Sequence, residues 1–269
     1  MTDYPARPKG WSTVGRRTVG PFTVGMSYRR PDGRIVRWSS RAHRKHFSRL
    51  SRPAALHEGV LWAPHRASWW IGVLFAIGSL CFLIAPLPAF VRLVGEQADG
   101  AVFFVGSLFF TSAAALQWLE TINADAGPGA GHKRRIRLVT WEPRRVDWWS
   151  SVVQLLGTLF FNVTTLRALT TAVSSSSYNQ HVWRPDLFGS VCFLVSGYLA
   201  YVEVTGGLLR RRPRRTLETG IVGVNLLGCV CFMVAGVASY VIPSSTGVVS
   251  VTAVNVGTSL GALCFLVGA

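Results

Sequence analysis

The side chains best placed to do chemistry in this sequence are four neutral polar groups set inside long apolar stretches: Gln154, Asn162, Asn225 and Asn255. Arg167 stands toward the end of one of these stretches. Polar groups in hydrocarbon are costly, and they usually mark either a solute path or a buried hydrogen bond between helices. As a path, Asn162, Asn225 and Asn255 would line a passive channel or an uncoupled carrier for a small solute. Arg167 would either snorkel outward or meet an anionic headgroup or substrate. No Asp, Glu or His falls near the centre of an apolar stretch, which argues against proton- or sodium-coupled transport. Four cysteines (Cys81, Cys192, Cys231 and Cys264) each follow a glycine by three residues, a regularity that raises soft-metal ligation. Phe109 and Phe160 take the same place in two further stretches, so the position reads as apolar packing, and no metal or other cofactor is expected. All five cysteines, Cys229 included, fall in apolar surroundings and read as small buried hydrophobes. There is no glycine-rich phosphate loop, no HExxH and no GxSxG. His43 and His46 sit in a basic run without acidic or thiol partners. No catalytic residue is expected, and the protein reads as non-enzymatic.

The elements that would position these groups are membrane spans. Of 269 residues only 15% are charged, against about 25% in soluble domains, and mean hydropathy is +0.33. The formal charge of +16 is segregated at the edges of the apolar body. Nucleic acid is therefore not the expected partner; anionic lipid headgroups are, at about 1 kcal/mol per Lys or Arg near the surface. About 20 apolar residues span a bilayer. Six segments qualify: 69–93, 101–122, 148–173, 187–209, 219–242 and 248–269. The amino end has no apolar core, so the first span is expected to direct insertion.

Basic residues crowd alternate connections. Arg16, Arg17, Arg29, Arg30, Arg34, Arg37 and Arg41 precede span one. Lys133, Arg134, Arg135, Arg137, Arg144 and Arg145 follow span two, and Arg210, Arg211, Arg212, Arg214 and Arg215 follow span four. The other connections hold only Arg92 and Arg184. Positive residues stay cytosolic, so both termini are expected inside. The fold class is an all-α polytopic bundle of six transmembrane helices.

An internal repeat organises this bundle. Trp62-Ala-Pro-His-Arg66-Ala-Ser-Trp69-Trp70 returns as Trp141-Glu-Pro-Arg-Arg145-Val-Asp-Trp148-Trp149. Eight residues later come Gly78-Ser-Leu-Cys-Phe82 and Gly157-Thr-Leu-Phe-Phe161. The following spans match in turn: Gly106-Ser-Leu-Phe-Phe110 leads to Glu120 as Gly189-Ser-Val-Cys-Phe193 leads to Glu203. Spans five and six keep the inner signature, Gly228 with Phe232 and Gly261 with Phe265. Gly and Phe four residues apart share a helix face, so the glycine admits a neighbour and the Phe fills the gap beside a neighbour's glycine. Gly257 and Gly261 form a small-xxx-small pair. The expected organisation is a basic cytosolic tail at 1–60, helical hairpins at 61–140 and 141–217, and a third hairpin at 218–269.

The paired tryptophans would settle at headgroup level. Glu120 and Glu203 reach that same level, where Glu120 is expected to meet His65 or Arg66, and Glu203 to meet Arg144 or Arg145. Asp32-Gly33, between Tyr28 and Trp38, is a hairpin cue in the tail. Residues 124–131 read as a flexible linker.

The strings from Phe103 to Gln117, Trp183 to Gly197 and Asn255 to Ala269 resemble actinobacterial membrane proteins related to the YrhK-like family. The resemblance implies a helical-hairpin membrane module of unassigned activity and supplies no site residues. The expected role is a module binding lipid, a second copy or a partner protein through a basic cytosolic face, with the conduit as the alternative.

Overall fold

Two prolines decide where the first membrane helix stops. Helix α1 covers Ala67–Ile84. Pro86 and Pro88 then remove two amide donors, and the chain turns with Leu87 N–H donating to Ile84 O at 3.1 Å. A short helix, α2 (Pro88–Val94), begins on Pro88 and ends at Gly95 with φ 83°. Span one thus breaks well before residue 93, and the next helix, α3 (Glu96–Asn123), starts earlier than residue 101. Helix α4 covers Val146–Thr170. A short α5 (Ser175–Tyr178) runs through one π turn, Asn179–Trp183, into α6 (Arg184–Thr205). The π turn precedes Pro185, whose missing N–H favours a local change of register. Helices α7 (Leu217–Ala238) and α8 (Val251–Gly268) each start on a hydroxyl cap, Thr216 and Ser250, which accept from the amides of Thr219 and Ala253.

The computed structural model describes residues 8–41, 62–124, 136–170, 175–206, 216–245 and 247–269. The linker reading at 125–131 lies outside these residues, as do His43, His46, Lys133–Arg135 and the arginines between 210 and 215. The described chain is mostly helical. Six helical runs are long and apolar enough to cross a membrane, the fourth being Ser176–Thr205.

Each spanning helix packs along two others. Contacts run α1–α3–α4–α6–α7–α8 and close from α8 back to α1. Sequential neighbours are antiparallel hairpins, and the return contact turns the row into a ring. The closure is tight: a Cβ on Gly72 of α1 would lie 2.9 Å from the carbonyl oxygen of Ala269. Outward faces carry apolar side chains on every helix. Leu80, Leu108, Leu159, Val195, Val234 and Leu263 are each 42–52% exposed, a band that only hydrocarbon would cover favourably.

The tail forms a small sheet on the bundle, with one strand more than the hairpin expected around Asp32-Gly33. Strands β1 (Ser12–Val19), β2 (Phe22–Arg29) and β3 (Ile35–Ser39) form an antiparallel meander. The Asp32-Gly33 segment is the β2–β3 turn: Gly33 has φ 80°, and Asp32 Oδ1 accepts from Arg34 N–H at 3.0 Å. Strand β1 reads poorly as a strand because STVGRRTV lacks a buried apolar alternation. The sheet buries Val24, Tyr28 and Trp38 instead, and β2 touches α4.

Candidate functional site

The six signature phenylalanines meet inside the ring. Within each hairpin the glycines and phenylalanines interlock reciprocally. A Cβ on Gly78 would lie 3.3 Å from the Phe110 ring, and one on Gly106 would lie 3.0 Å from Phe82. Gly157 faces Phe193 and Gly189 faces Phe161, at 3.6 and 3.3 Å. Gly228 faces Phe265 and Gly261 faces Phe232, at 3.0 and 2.7 Å. At each crossing the glycine Cβ position also abuts the partner glycine's carbonyl oxygen, 3.0 Å for Gly78 on Gly106, 3.2 Å for Gly157 on Gly189 and 3.0 Å for Gly228 on Gly261. Helices approach this closely only where both lack a side chain.

Between hairpins the rings touch in a threefold arrangement. Phe82, Phe161 and Phe232 form a triangle with centroid separations of 6.4, 6.1 and 6.1 Å. Phe110, Phe193 and Phe265 make a second layer, Phe265 lying 6.3 Å from Phe110 and 6.0 Å from Phe193. The two layers are joined by Phe82–Phe110 at 5.3 Å, Phe161–Phe193 at 5.0 Å and Phe232–Phe265 at 5.4 Å. These separations suit edge and offset contacts between aromatic rings, about 0.5–1.5 kcal/mol per pair beyond simple packing. A plug of six rings fills the middle of the bundle.

Polar side chains bond both within and between hairpins, Ser150 and Ser196 joining each other inside the α4–α6 hairpin. On the α3–α4 seam, Ser107 Oγ is 3.0 Å from Thr165 Oγ1, Thr111 Oγ1 donates to Asn162 Oδ1 at 3.1 Å, and Gln117 Nε2 donates to Gln154 Oε1 at 2.8 Å. On the α6–α7 seam, Trp183 Nε1 donates to Gly236 O at 2.9 Å, and Asn179 brackets Val241 through both its backbone groups at 2.7 and 3.0 Å. Ser259 on α8 donates to Leu83 O on α1 at 3.2 Å, across the closing seam. Asn225 lies against Gly268, where no Cβ would fit, and Gly257 abuts the Cys231 carbonyl oxygen. Asn255 is half-buried in α8, and Arg167 is exposed near the end of α4. Of the sequence-selected residues, the glycines and phenylalanines converge on one core, whereas Asn162, Asn225 and Asn255 are dispersed over different helices and seams.

The cysteines occupy the same close contacts. Cys81 Cβ faces Gly106, Cys192 Cβ faces Gly157 and Cys264 Cβ faces Gly228. Among the described residues no group of three or more His, Cys, Asp or Glu comes together to hold a metal.

At the end where α1 and α4 begin, the two tryptophan segments fold alike. Trp70 Nε1 donates to Pro64 O and Trp149 Nε1 to Pro143 O, both at 2.9 Å. Trp62 packs on Trp69 at 5.2 Å and Trp141 on Trp148 at 5.0 Å. The second copy differs in chemistry. Arg145, only 4% exposed, donates to both oxygens of Asp147, to Glu142 and to Thr121 O. It thereby clamps the end of α3 to the start of α4. The first copy has Ser68 where the second has Asp147. Glu203, buried in the last turn of α6, accepts from Ser40 Oγ just beyond β3 at 2.6 Å, a link between sheet and bundle that nothing in the repeat foreshadows.

These features define a multi-pass membrane protein: a closed ring of six apolar helices, solid at its centre, with a small sheet docked on one end. No family model matches the chain, and comparison with curated proteins and with solved structures finds no match.

Proposed function

We propose that this protein is a non-enzymatic membrane module of three repeated helical hairpins that binds lipid, a second copy of itself or a partner protein through a basic cytosolic face. The cell membrane is its proposed site, with both termini cytosolic. The sheet, the tryptophan segments and the ends of α3 and α6 share one end of the bundle; the sequence that follows each of those two helices is rich in arginine, and positive residues favour the cytosol. The resemblance to YrhK-like proteins fits the same hairpin organisation.

The observation that carries this reading is the phenylalanine plug. A conduit needs a continuous wet path lined by polar groups. Here the middle of the bundle holds six aromatic rings, while Gln154 and Asn162 accept bonds from neighbouring helices. The polar groups act as glue between hairpins, and the surface left for recognition is the basic end.

Site-directed labelling tests the reading. In a background lacking the native cysteines, Asn162→Cys and Asn225→Cys are expected to resist a membrane-impermeant maleimide in intact membranes and in vesicles of both orientations. Ready labelling of both from one side would establish a water path and overturn the packed-module reading in favour of the conduit.

A further inference from the structure

Beneath the sheet lies a cavity of about 550 Å³ whose walls come from three parts of the fold. Its roof is the meander, with Arg16 and Arg17 from β1, Gly25 and Ser27 from β2, and Arg37 from β3. Arg41 closes one side, and Thr205 with Thr216 and Thr219 form the floor where α6 ends and α7 begins. Four arginines thus line one opening. Glu218 is the acidic member of the wall, and Glu203, next to Val204 in the floor, accepts from Ser40. Two carboxylates against four arginines leave a net excess of positive charge.

The arginines are held in place by the fold. Arg16 donates from Nε to Thr23 Oγ1 at 2.8 Å, and Thr23 is buried. Arg17 threads between two glycines: a Cβ on Gly25 would lie 3.2 Å from its Nε, and one on Gly206 would lie 3.3 Å from its Cδ. Gly206 is the left-handed cap that ends α6, so Arg17 also lies where a cation suits the helix dipole. Neighbouring residues on a regular strand point to opposite faces. Arg16 and Arg17 nevertheless both line the cavity, opposite Met26 and Gly25 of β2 in an unbroken stretch of register. The start of α7 adds its positive dipole end, with the Thr216 and Thr219 hydroxyls beside it.

We infer that this cavity is a binding site for a phosphate monoester, clasped by Arg16, Arg37 and their arginine neighbours between the sheet and the start of α7. Arginine forks match phosphate oxygens bidentately, and threonine hydroxyls complete such a shell. The site deepens the basic-face reading above and rests on it for the side on which it opens. The shared chemistry is the phosphate ester; its source is either a lipid headgroup or a soluble phosphorylated compound.

The experiment uses the full-length protein in detergent and in nanodiscs. Binding is followed by tryptophan fluorescence against inorganic phosphate, and by co-sedimentation with neutral-lipid vesicles with and without phosphatidic acid. Three variants are compared: Arg16→Gln/Arg37→Gln, the single Arg37→Gln at an exposed position of β3, and Arg144→Gln, an exposed arginine of the same end that does not line the cavity. The double variant is expected to lose about tenfold or more in affinity, the single variant a smaller part, and Arg144→Gln to bind like the parent protein. Should the double variant fail to fold, the contrast between Arg37→Gln and Arg144→Gln decides alone. Saturable effects of inorganic phosphate that the cavity variants abolish identify a soluble source; binding confined to phosphatidic acid vesicles, and lost with the same variants, identifies a headgroup. Equal losses in cavity and control variants would overturn the pocket while leaving a diffuse basic face intact. No binding of either anion by the parent protein would overturn both.

Discussion

Adding a single methyl group at Gly106 probes the crossing that organises the bundle. A Cβ there would lie 2.7 Å from Cys81 Cβ and 3.0 Å from the Phe82 ring, well inside van der Waals contact. Cys81 Cβ is fixed to the α1 backbone, so no rotation relieves the clash, and Phe82 is held by rings at 5.3, 6.1 and 6.4 Å. The two helices must therefore separate, giving up the dispersion contacts that hold membrane helices together. Overpacking of this kind costs about 1–3 kcal/mol. Gly223→Ala supplies the control: on α7 a Cβ at that position meets nothing within 4 Å. Alanine is the better helix former by about 1 kcal/mol in water, so this variant is expected to be neutral or mildly stabilised. The assay is thermal unfolding in a fixed detergent, read by near-ultraviolet circular dichroism, with side-by-side comparison of the two variants. Gly106→Ala should melt clearly below the parent protein and Gly223→Ala at or above it. Equal midpoints for Gly106→Ala and the parent would refute the claim that glycine at this crossing sets the helix separation.

Two further outcomes follow from the same geometry. Arg145→Ala leaves Asp147, 3% exposed, without the guanidinium that now engages both its oxygens; stability should fall by about 3–5 kcal/mol, and recovery by adding Asp147→Ser, the residue pattern of the first copy, would be read in the same melt. Glu120→Lys tests the proposed pairing with His65 or Arg66. A lysine in the last turn of α3 should benefit from the helix dipole if Glu120 has no cationic partner, whereas a lost pair lowers stability by up to about 1 kcal/mol, so an unchanged or raised midpoint would discard the pairing.

Much of the bundle was legible because membrane burial writes simple rules. Six spans follow from length and apolarity alone, since a helix in hydrocarbon must satisfy its own backbone. The Gly-Phe spacing was legible too, because residues four apart share a face whatever the partner. Span ends were less so. Prolines at 86 and 88 stop α1 early, and the π turn before Pro185 lengthens the fourth span, effects set by single missing amides rather than by hydropathy. Strand β1 escaped because its arginines face a cavity that exists only once α6 and α7 are in place. The link between Glu203 and Ser40 joins residues 163 positions apart, a separation that no local pattern encodes.

By itself, the amino-acid order determined that this chain is a membrane protein of six helices whose glycines and phenylalanines lie on shared faces, because hydropathy and helical periodicity are properties of one segment at a time. Which phenylalanine meets which glycine, the closing of six helices into a ring with a solid aromatic centre, and the gathering of four arginines over the start of α7 were decided only by tertiary structure. These features depend on how segments far apart in the chain pack together, and dispersion and hydrogen bonding between such segments act only at contact distance.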